Sequence, residues 1–317
     1  MKGLKIKFVL FSFLAIAFFA LRSSESGKKK YSKEKLGELL FNEKILSLDS
    51  TVSCASCHKP EFAFSDTSAF SIGIGGKPTK RNTPSVLNMK NRPYYFWDGR
   101  ASTLSEQSLM PIQNPDEMNL SIREAVKRLN QNAFYVDYFK SVFKRAPDSL
   151  SLATSFESYE NTLETVDSKF DDWGENKLEL SAQEERGRKV FLSDKSRCFD
   201  CHFLVDFTND DFKNIGLYNG ILLNDKGRFN ITKNPDDLGK FKTPGLRNIA
   251  VTAPYMHNGM FKTLEEVVDY YNNPSAVVPD RINIDSTLLK PLGLTTSEKA
   301  DLVAFLKTLT DKKFSKN

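Results

Sequence analysis

Hydrophobic positions recur at helical spacing in four windows of the chain. Leu36, Gly37, Leu40 and Phe41 follow Ser32, and Gly187, Val190 and Phe191 follow Ser181. Each set predicts an amphipathic helix, the second opened by a capping box between Ser181 and Glu184. Leu302, Val303, Phe305, Leu306 and Leu309 predict a third helix behind another capping box, Thr295 with Glu298. Phe156, Tyr159 and Leu163 carry a similar spacing. Helix is therefore the expected regular structure, and the fold class is mainly α. The N-terminus has a different pattern, a basic start followed by an apolar run from Phe8 to Leu21 that only Ser12 interrupts. The run suits the apolar core of a secretory signal and falls short of the ~20 residues that span a bilayer. Residues 1–22 are read as a signal peptide and the protein as exported. Ala20-Leu21-Arg22-Ser23 is not a clean cleavage signal, so an uncleaved anchor stays open.

An exported chain with four Cys invites a disulfide reading, but the spacing opposes it. The cysteines stand as Cys54-Ala55-Ser56-Cys57-His58 and Cys198-Phe199-Asp200-Cys201-His202, two C-x-x-C-H motifs. This is the attachment signature of c-type haem: two thiols one turn apart add to the vinyl groups, and the adjacent His reaches the iron. Zinc would need a second thiol or imidazole pair beside each motif, and there is none. The surroundings repeat too. Thr83-Pro84-Ser85-Val86-Leu87-Asn88, Pro93-Tyr94, Trp97-Asp98-Gly99 and Thr103-Leu104 follow the first motif. Thr243-Pro244-Gly245-Leu246-Arg247-Asn248, Pro254-Tyr255, His257-Asn258-Gly259 and Thr263-Leu264 follow the second. The pattern predicts two cytochrome-c-like haem domains related by internal duplication, at 28–165 and 180–317, joined across the charged stretch Thr165 to Leu180.

Charge and scarcity narrow the chemistry. The chain has 45 Lys+Arg against 40 Asp+Glu. Removing Lys2, Lys5, Lys7 and Arg22 of the leader leaves 41 − 40 = +1, which offers no basic face for nucleic acid. There are three His, and the motifs use two. Only His257 remains for a second axial position, so at most one iron can have two His ligands. His257 occupies the place of Trp97 in the other copy. Tyr271 stands eight residues after Thr263, where Pro111 stands eight after Thr103. If these positions lie over the irons, the second haem can take a phenolate and the first cannot be ligated there.

At this level of detail the chain resembles the bacterial dihaem cytochrome c peroxidase family, which includes the methylamine-utilisation protein MauG. The most specific pieces are Arg81-Asn82-Thr83-Pro84-Ser85, Phe96-Trp97-Asp98-Gly99-Arg100, Glu106-Gln107, Glu117-Met118 and Thr252-Ala253-Pro254-Tyr255-Met256-His257-Asn258-Gly259. The resemblance implies two covalently bound haem c groups. The first, on Cys54, Cys57 and His58, would be the peroxide site, with Glu117 and Gln107 as its distal polar groups near Pro111. The second, on Cys198, Cys201 and His202, would pass or store electrons, and Trp97 would lie between the two. The Asn82 side chain with the Thr252 and Pro254 carbonyls resembles the family's inter-haem calcium site, suited to a hard cation bound by oxygens.

Two departures from the usual peroxidases matter. In those enzymes a His in the loop after the first motif caps the peroxidatic iron at rest. The aligned loop here is Ser71-Ile72-Gly73-Ile74-Gly75-Gly76, and Ile74 cannot ligate iron, so the first haem should be open. Tyr271 stands where those enzymes place a Met on the second haem, as it does in MauG; Met256, Met260 and His257 are its rivals. A phenolate favours higher iron oxidation states than a thioether does.

The implied activity is reduction of hydrogen peroxide with electrons from a small periplasmic cytochrome or cupredoxin. Glu117 would shuttle a proton and Gln107 would orient the peroxide. A MauG-like oxidase acting on residues of a partner protein is the alternative, and a plain dihaem electron carrier is the third class. The resemblance also leaves a homodimer open.

Overall fold

A computed structural model describes residues 31–315 apart from Leu204; the leader at 1–22 lies outside the described residues. The regular structure is mainly helical, as the periodicity predicts. In chain order the longer helices are α1 (Lys33–Phe41), α2 (Leu104–Gln113), α3 (Ile122–Gln131), α4 (Ala133–Phe143), α5 (Ser149–Glu160), α6 (Lys169–Gly174), α7 (Ala182–Phe191), α8 (Leu264–Asn272) and α9 (Thr296–Lys307). One two-residue ladder pairs Phe212–Lys213 antiparallel to Phe241–Lys242. No helix among the described residues is long and apolar enough to cross a membrane.

Each half is organised around one tight helix crossing. In the first half α1 packs on α5. A Cβ added at Gly37 would lie 2.0 Å from the Ser155 carbonyl oxygen and 2.6 Å from the Tyr159 Cβ. In the second half α7 packs on α9, and a Cβ at Gly187 would lie 1.9 Å from the Asp301 carbonyl oxygen and 2.8 Å from the Phe305 Cβ. Any side chain at these two positions would force the helices apart, so glycine is what permits the crossing. Both expected capping boxes form, at Ser181–Glu184 and Thr295–Glu298. Each offsets orphan amides at a helix start and is worth ~1 kcal/mol.

Two apolar clusters follow from the crossings. The first joins Leu36, Leu40 and Phe41 of α1 to Ile112, Leu129, Phe139, Leu152 and Phe156. The second joins Phe191 of α7 to Leu217, Val268, Tyr270, Leu302, Phe305 and Leu309. Helices α3 and α4 line the first cluster through Ala125, Leu129, Tyr135 and Phe139. They have no match in the windows first read from the periodicity.

The loops repeat in detail. The Asn88 N–H donates to the Leu163 carbonyl, and its side-chain oxygen accepts from the Thr165 N–H. Asn248 makes the same pair of bonds to Leu309 and Asp311. The Tyr95 N–H bonds the Ala101 carbonyl and the Tyr255 N–H the Phe261 carbonyl. Left-handed residues recur at Asn88 and Asn248, Phe96 and Met256, and Gly99 and Gly259. Thr103 and Thr263 then cap α2 and α8, each accepting from an amide three residues on.

The stretch from Thr165 to Leu180 is not an open tether. Thr165 is 1% exposed and also accepts from the Asn248 side chain. Helix α6 starts on a Ser168–Asp171 capping box and inserts Phe170 against Phe207 and Phe305 of the second cluster. Apolar residues at i and i+3, Phe170 and Trp173, are the sequence signal beneath the charges. Residues Lys33–Asn317 consequently form one compact unit.

Candidate functional site

Both motifs hold their histidine in the same way. Cys54–Cys57 is one turn of helix, and the His58 N–H closes it on the Cys54 carbonyl. His202 N–H closes the second turn on the Cys198 carbonyl. The His58 Nδ1 lies 3.0 Å from the Phe64 carbonyl oxygen and the His202 Nδ1 lies 2.9 Å from that of Phe207. The carbonyl takes the Nδ1 proton, so each Nε2 keeps its lone pair for a metal. Burial lowers the pKa of both imidazoles and favours that neutral form. Phe64 and Phe207 reach these bonds from left-handed backbone, φ 57° and 56°, which costs non-glycine residues ~1–2 kcal/mol. The strain is spent on aiming two carbonyls. Neither Phe was marked by sequence reasoning, because a backbone acceptor leaves no residue-type signal.

The four cysteines are unpaired, and burial raises every thiol pKa. Such pockets disfavour thiolate and suit a neutral thioether. Paired thiols one turn apart, and an imidazole with one nitrogen committed and one open, fit covalent haem at each motif.

A cavity runs from the second motif into the space between the halves. Cys198, Cys201, His202, Tyr271 and Met256 line one end, and Ser65, Asn82, Pro84, Trp97 and His257 line the rest. Tyr271 lies on α8 facing the second motif; burial, then Tyr270 and the two thiols, push its phenol pKa far up. Of its rivals, His257 stacks on Phe241 at 3.7 Å between centroids, and burial lowers its pKa to about 4. Met260 packs on the second apolar cluster, and its sulfur lies 3.6 Å from the Asn258 amide nitrogen.

Trp97 bridges the halves. Its indole Nε1–H donates to the Asn82 carbonyl at 2.9 Å, and its own carbonyl accepts from the Lys242 N–H at 2.7 Å. The Asn82 N–H in turn donates to the His257 carbonyl at 2.8 Å. The Asn82 side-chain N–H groups are directed to the Ser68 and Ala69 carbonyls, leaving the amide oxygen for another partner. Thr252 and Pro254 line the same cavity as Asn82. Among the described residues no group of three or more His, Cys, Asp or Glu could hold a metal ion.

Of the distal candidates, Glu117 lies by the first motif. Glu117 follows the turn at the end of α2, where Asn114 donates to its Oε1 at 2.6 Å. Burial raises its pKa, while Arg100 and Asn114 act in the other direction. Its charge is felt at both Cys54 and Cys57. Gln107 is half-buried on α2, one turn before Pro111 and on the same face. Ile74 is buried, and its N–H donates to the Glu117 carbonyl at 2.8 Å. Arg100 stacks on Phe96 at 3.5 Å and is held by Asp98. In the sequence Arg100 is only the last residue of Trp97-Asp98-Gly99-Arg100, and nothing in its type or spacing signals this contact. Glu160 likewise carries no signal in the sequence. It is 5% exposed, its Oε2 has no hydrogen-bond partner, and burial followed by Glu157 raises its pKa to about 8. Its charge is the main one felt at Cys54.

Two C-x-x-C-H motifs on one helical chain, the second lining a cavity that reaches Trp97, define a dihaem cytochrome. The chain belongs to the di-haem cytochrome c peroxidase family, whose model matches residues 31–179. It is 36% identical over 282 residues to the methylamine utilization protein MauG of Methylorubrum extorquens, covering 87% of this chain and 78% of that one. It is also 36% identical over 251 residues to the cytochrome c551 peroxidase of Pseudomonas aeruginosa, covering 76% and 72%. Among solved structures, a MauG-like protein associated with microbial copper homeostasis superposes with a TM-score of 0.82 at 35% identity, covering 89% of this chain and 92% of that one.

Proposed function

We propose that this chain is a dihaem peroxidase that reduces hydrogen peroxide to water with electrons delivered through its second half by a small periplasmic protein. The observation that carries the reading is Glu117, a half-buried carboxyl beside the first motif, poised by Asn114 and Arg100. Haem bound at Cys54, Cys57 and His58 supplies the iron and the oxidising chemistry. Glu117 takes a proton from one oxygen of hydrogen peroxide and returns it to the other, a task that suits a carboxyl whose pKa burial has raised towards neutrality. Gln107 orients the peroxide by hydrogen bonding. Ile74 and Pro111 bring no lone pair to this side and keep it apolar.

Trp97 carries electrons between the halves, and Tyr271 ligates the second haem. To serve as a ligand the phenol would have to lose its proton, and the positive charge of a bound ferric iron would favour that loss against the effect of burial. Asn82, Thr252 and Pro254 bind calcium. The two halves descend from an internal duplication, a reading supported by the paired Gly, Asn, Tyr and Thr contacts described above. The leader directs export to the periplasm.

A MauG-like oxidation of a partner protein is the second reading. It is favoured by Tyr271, which lines the cavity beside the second motif. Peroxide turnover with a reduced small cytochrome selects the peroxidase; peroxide consumption that the cytochrome leaves unchanged selects the oxidase. The open first site is checked separately: the ferric protein should show a high-spin component and bind cyanide without prior reduction. Tyr271→Phe should change the second haem's spectrum, and an unchanged spectrum would hand the ligand role to Met256.

A further inference from the structure

Behind each motif stands a triad of aromatic rings, and the two triads differ by a single hydroxyl. In the second half Phe191 lies 5.9 Å from Phe207 and 5.3 Å from Phe305 between centroids. In the first half Phe41 lies 6.2 Å from Phe64 and 5.3 Å from Tyr159. The positions correspond one to one. Phe41 and Phe191 each stand four residues after the crossing glycine, and Phe64 and Phe207 hold the motif histidines. Tyr159 and Phe305 meet Gly37 and Gly187 through their Cβ atoms. What the first half adds is a phenol.

Two carboxyls accompany it. Burial first, then the charges of Glu38 on α1 and of the adjoining Glu160, push the Tyr159 pKa up to about 12. The phenol therefore keeps its proton at neutral pH, with carboxyls close enough to be felt. The second half has Arg188 and Leu306 at the two matching places, so it offers no proton acceptor there. Glu38 is bound by Lys35 at the surface and is open to water.

This combination suits a redox step. A phenol gives up an electron far more readily than a benzyl ring, and more readily still when its proton can leave at the same time. The ring of Phe41 packs on Tyr159 and also lies 6.2 Å from the ring of His58. Three rings in succession thus connect the phenol to the histidine of the first motif. The same succession in the second half ends on Phe305, which is buried and has no proton to lose.

We propose that Tyr159 is an oxidisable side chain that supplies an electron to the first site when none arrives from the second half. The proposal rests on peroxide reacting at the first site, which both readings of the function share. The phenol loses one electron by way of Phe41 and His58, and the oxidised first site gains it. The phenol proton passes to Glu38 and from there to water, which leaves a neutral tyrosyl radical. One such step removes one of the two oxidising equivalents that each hydrogen peroxide delivers, and it draws that equivalent away from His58.

The test mixes the full haem-loaded protein with hydrogen peroxide in the absence of any reductant, and follows it by stopped-flow absorption and freeze-quench EPR. The parent should give a radical signal that narrows when its tyrosines are ring-deuterated. Tyr159→Phe installs the residue that the second half already carries at this place, so the fold is kept. It should abolish the tyrosyl signal and prolong the oxidised absorption spectrum. Tyr31→Phe, at an exposed tyrosine, should leave both as they are. A tyrosyl signal that survives in Tyr159→Phe would overturn the proposal. So would a parent signal that ring deuteration leaves unchanged, or a parent whose absorption responds to peroxide without any radical. An absorption spectrum that peroxide does not alter would instead overturn peroxide activation at the first site, and the proposed function with it.

Discussion

The two halves share a frame and differ in what they bury and expose. In each, a glycine lets two helices touch, an asparagine ties the loop to the end of the closing helix, and a left-handed Phe holds the histidine. Around that frame the first half withdraws two carboxyls from water. Glu117 is half-buried beside its motif, and Glu160 is buried in the helix position that Leu306 fills in the second half, counting from the Ser155 and Asp301 contacts. The second half places a half-buried phenol, Tyr271, in the cavity beside its motif and exposes apolar residues on its surface. A frame that fixes cofactor geometry can be kept while the groups facing each cofactor change. On the proposed function, the differences carry the division of labour, with proton chemistry in the first half and electron handling in the second.

The largest effect should come from the group that most separates the halves. Glu117→Gln keeps the shape and the Asn114 contact but removes the proton carrier. It should slow the reaction with peroxide by ~10²–10⁴-fold, the usual range for a lost general acid–base. Cyanide binding to the ferric protein should change little. Equal loss in both measurements would mean that Glu117 only shapes the pocket, and the contrast between the halves would lose its chemical meaning.

Glu160 gives the next largest effect, on stability. Its folded pKa is about 8 against an ordinary 4.5, because burial penalises the charged form. Between those values the folded protein holds a proton that the unfolded chain has lost. Stability from this group is therefore complete below about pH 4.5 and falls as pH rises towards 8, by ~1.4 kcal/mol per unit. Denaturant unfolding of the haem-loaded protein across pH 5 to 8 should show this slope. Glu160→Gln should flatten it; an unaltered slope would assign it to other groups.

The helix crossings test whether the shared frame bears equal weight on both sides. Gly37→Ala and Gly187→Ala each place a methyl about 2 Å from a carbonyl oxygen of the facing helix. Each should destabilise by ~1–3 kcal/mol through forced separation of the pair. Thermal unfolding followed by far-UV dichroism reads the loss. A neutral outcome in one half alone would mean that the two crossings are not equivalent.

The sequence exposed the parts of this design that depend on residue type at fixed spacing. Both motifs, two of the four helical windows in full and both capping boxes are where their residues predict them; in the third window α9 ends at Lys307, before Leu309. In the fourth window, α5 ends at Glu160, before Leu163. Tyr271, eight residues after Thr263, lines the cavity together with Cys198, Cys201 and His202. What escaped has no such signature. The carbonyls of Phe64 and Phe207 are common to every residue, so only the folded backbone shows where they aim. Glu160 looks like a solvated acid beside Glu157 until the α1–α5 crossing encloses it. Helix α6 was hidden by Asp171, Asp172 and Glu175, although Phe170 and Trp173 mark its apolar side.

The smallest effect concerns the residue that joins the two halves. Trp97 meets the first half through its indole N–H on the Asn82 carbonyl and the second through its carbonyl on the Lys242 N–H. Trp97→Phe preserves an aromatic ring and the backbone bond but deletes the indole bond, which is worth ~1 kcal/mol. A modest loss of stability on that scale should appear in denaturant unfolding. The more telling readout is the rate at which electrons placed on the second haem by a reductant reach the first, followed by stopped-flow absorption. It should fall while cyanide binding at the first site and the second haem's spectrum stay as they are. If transfer is as fast as before, Trp97 is a structural strut, and the halves communicate through another part of the cavity that Asn82 and His257 line.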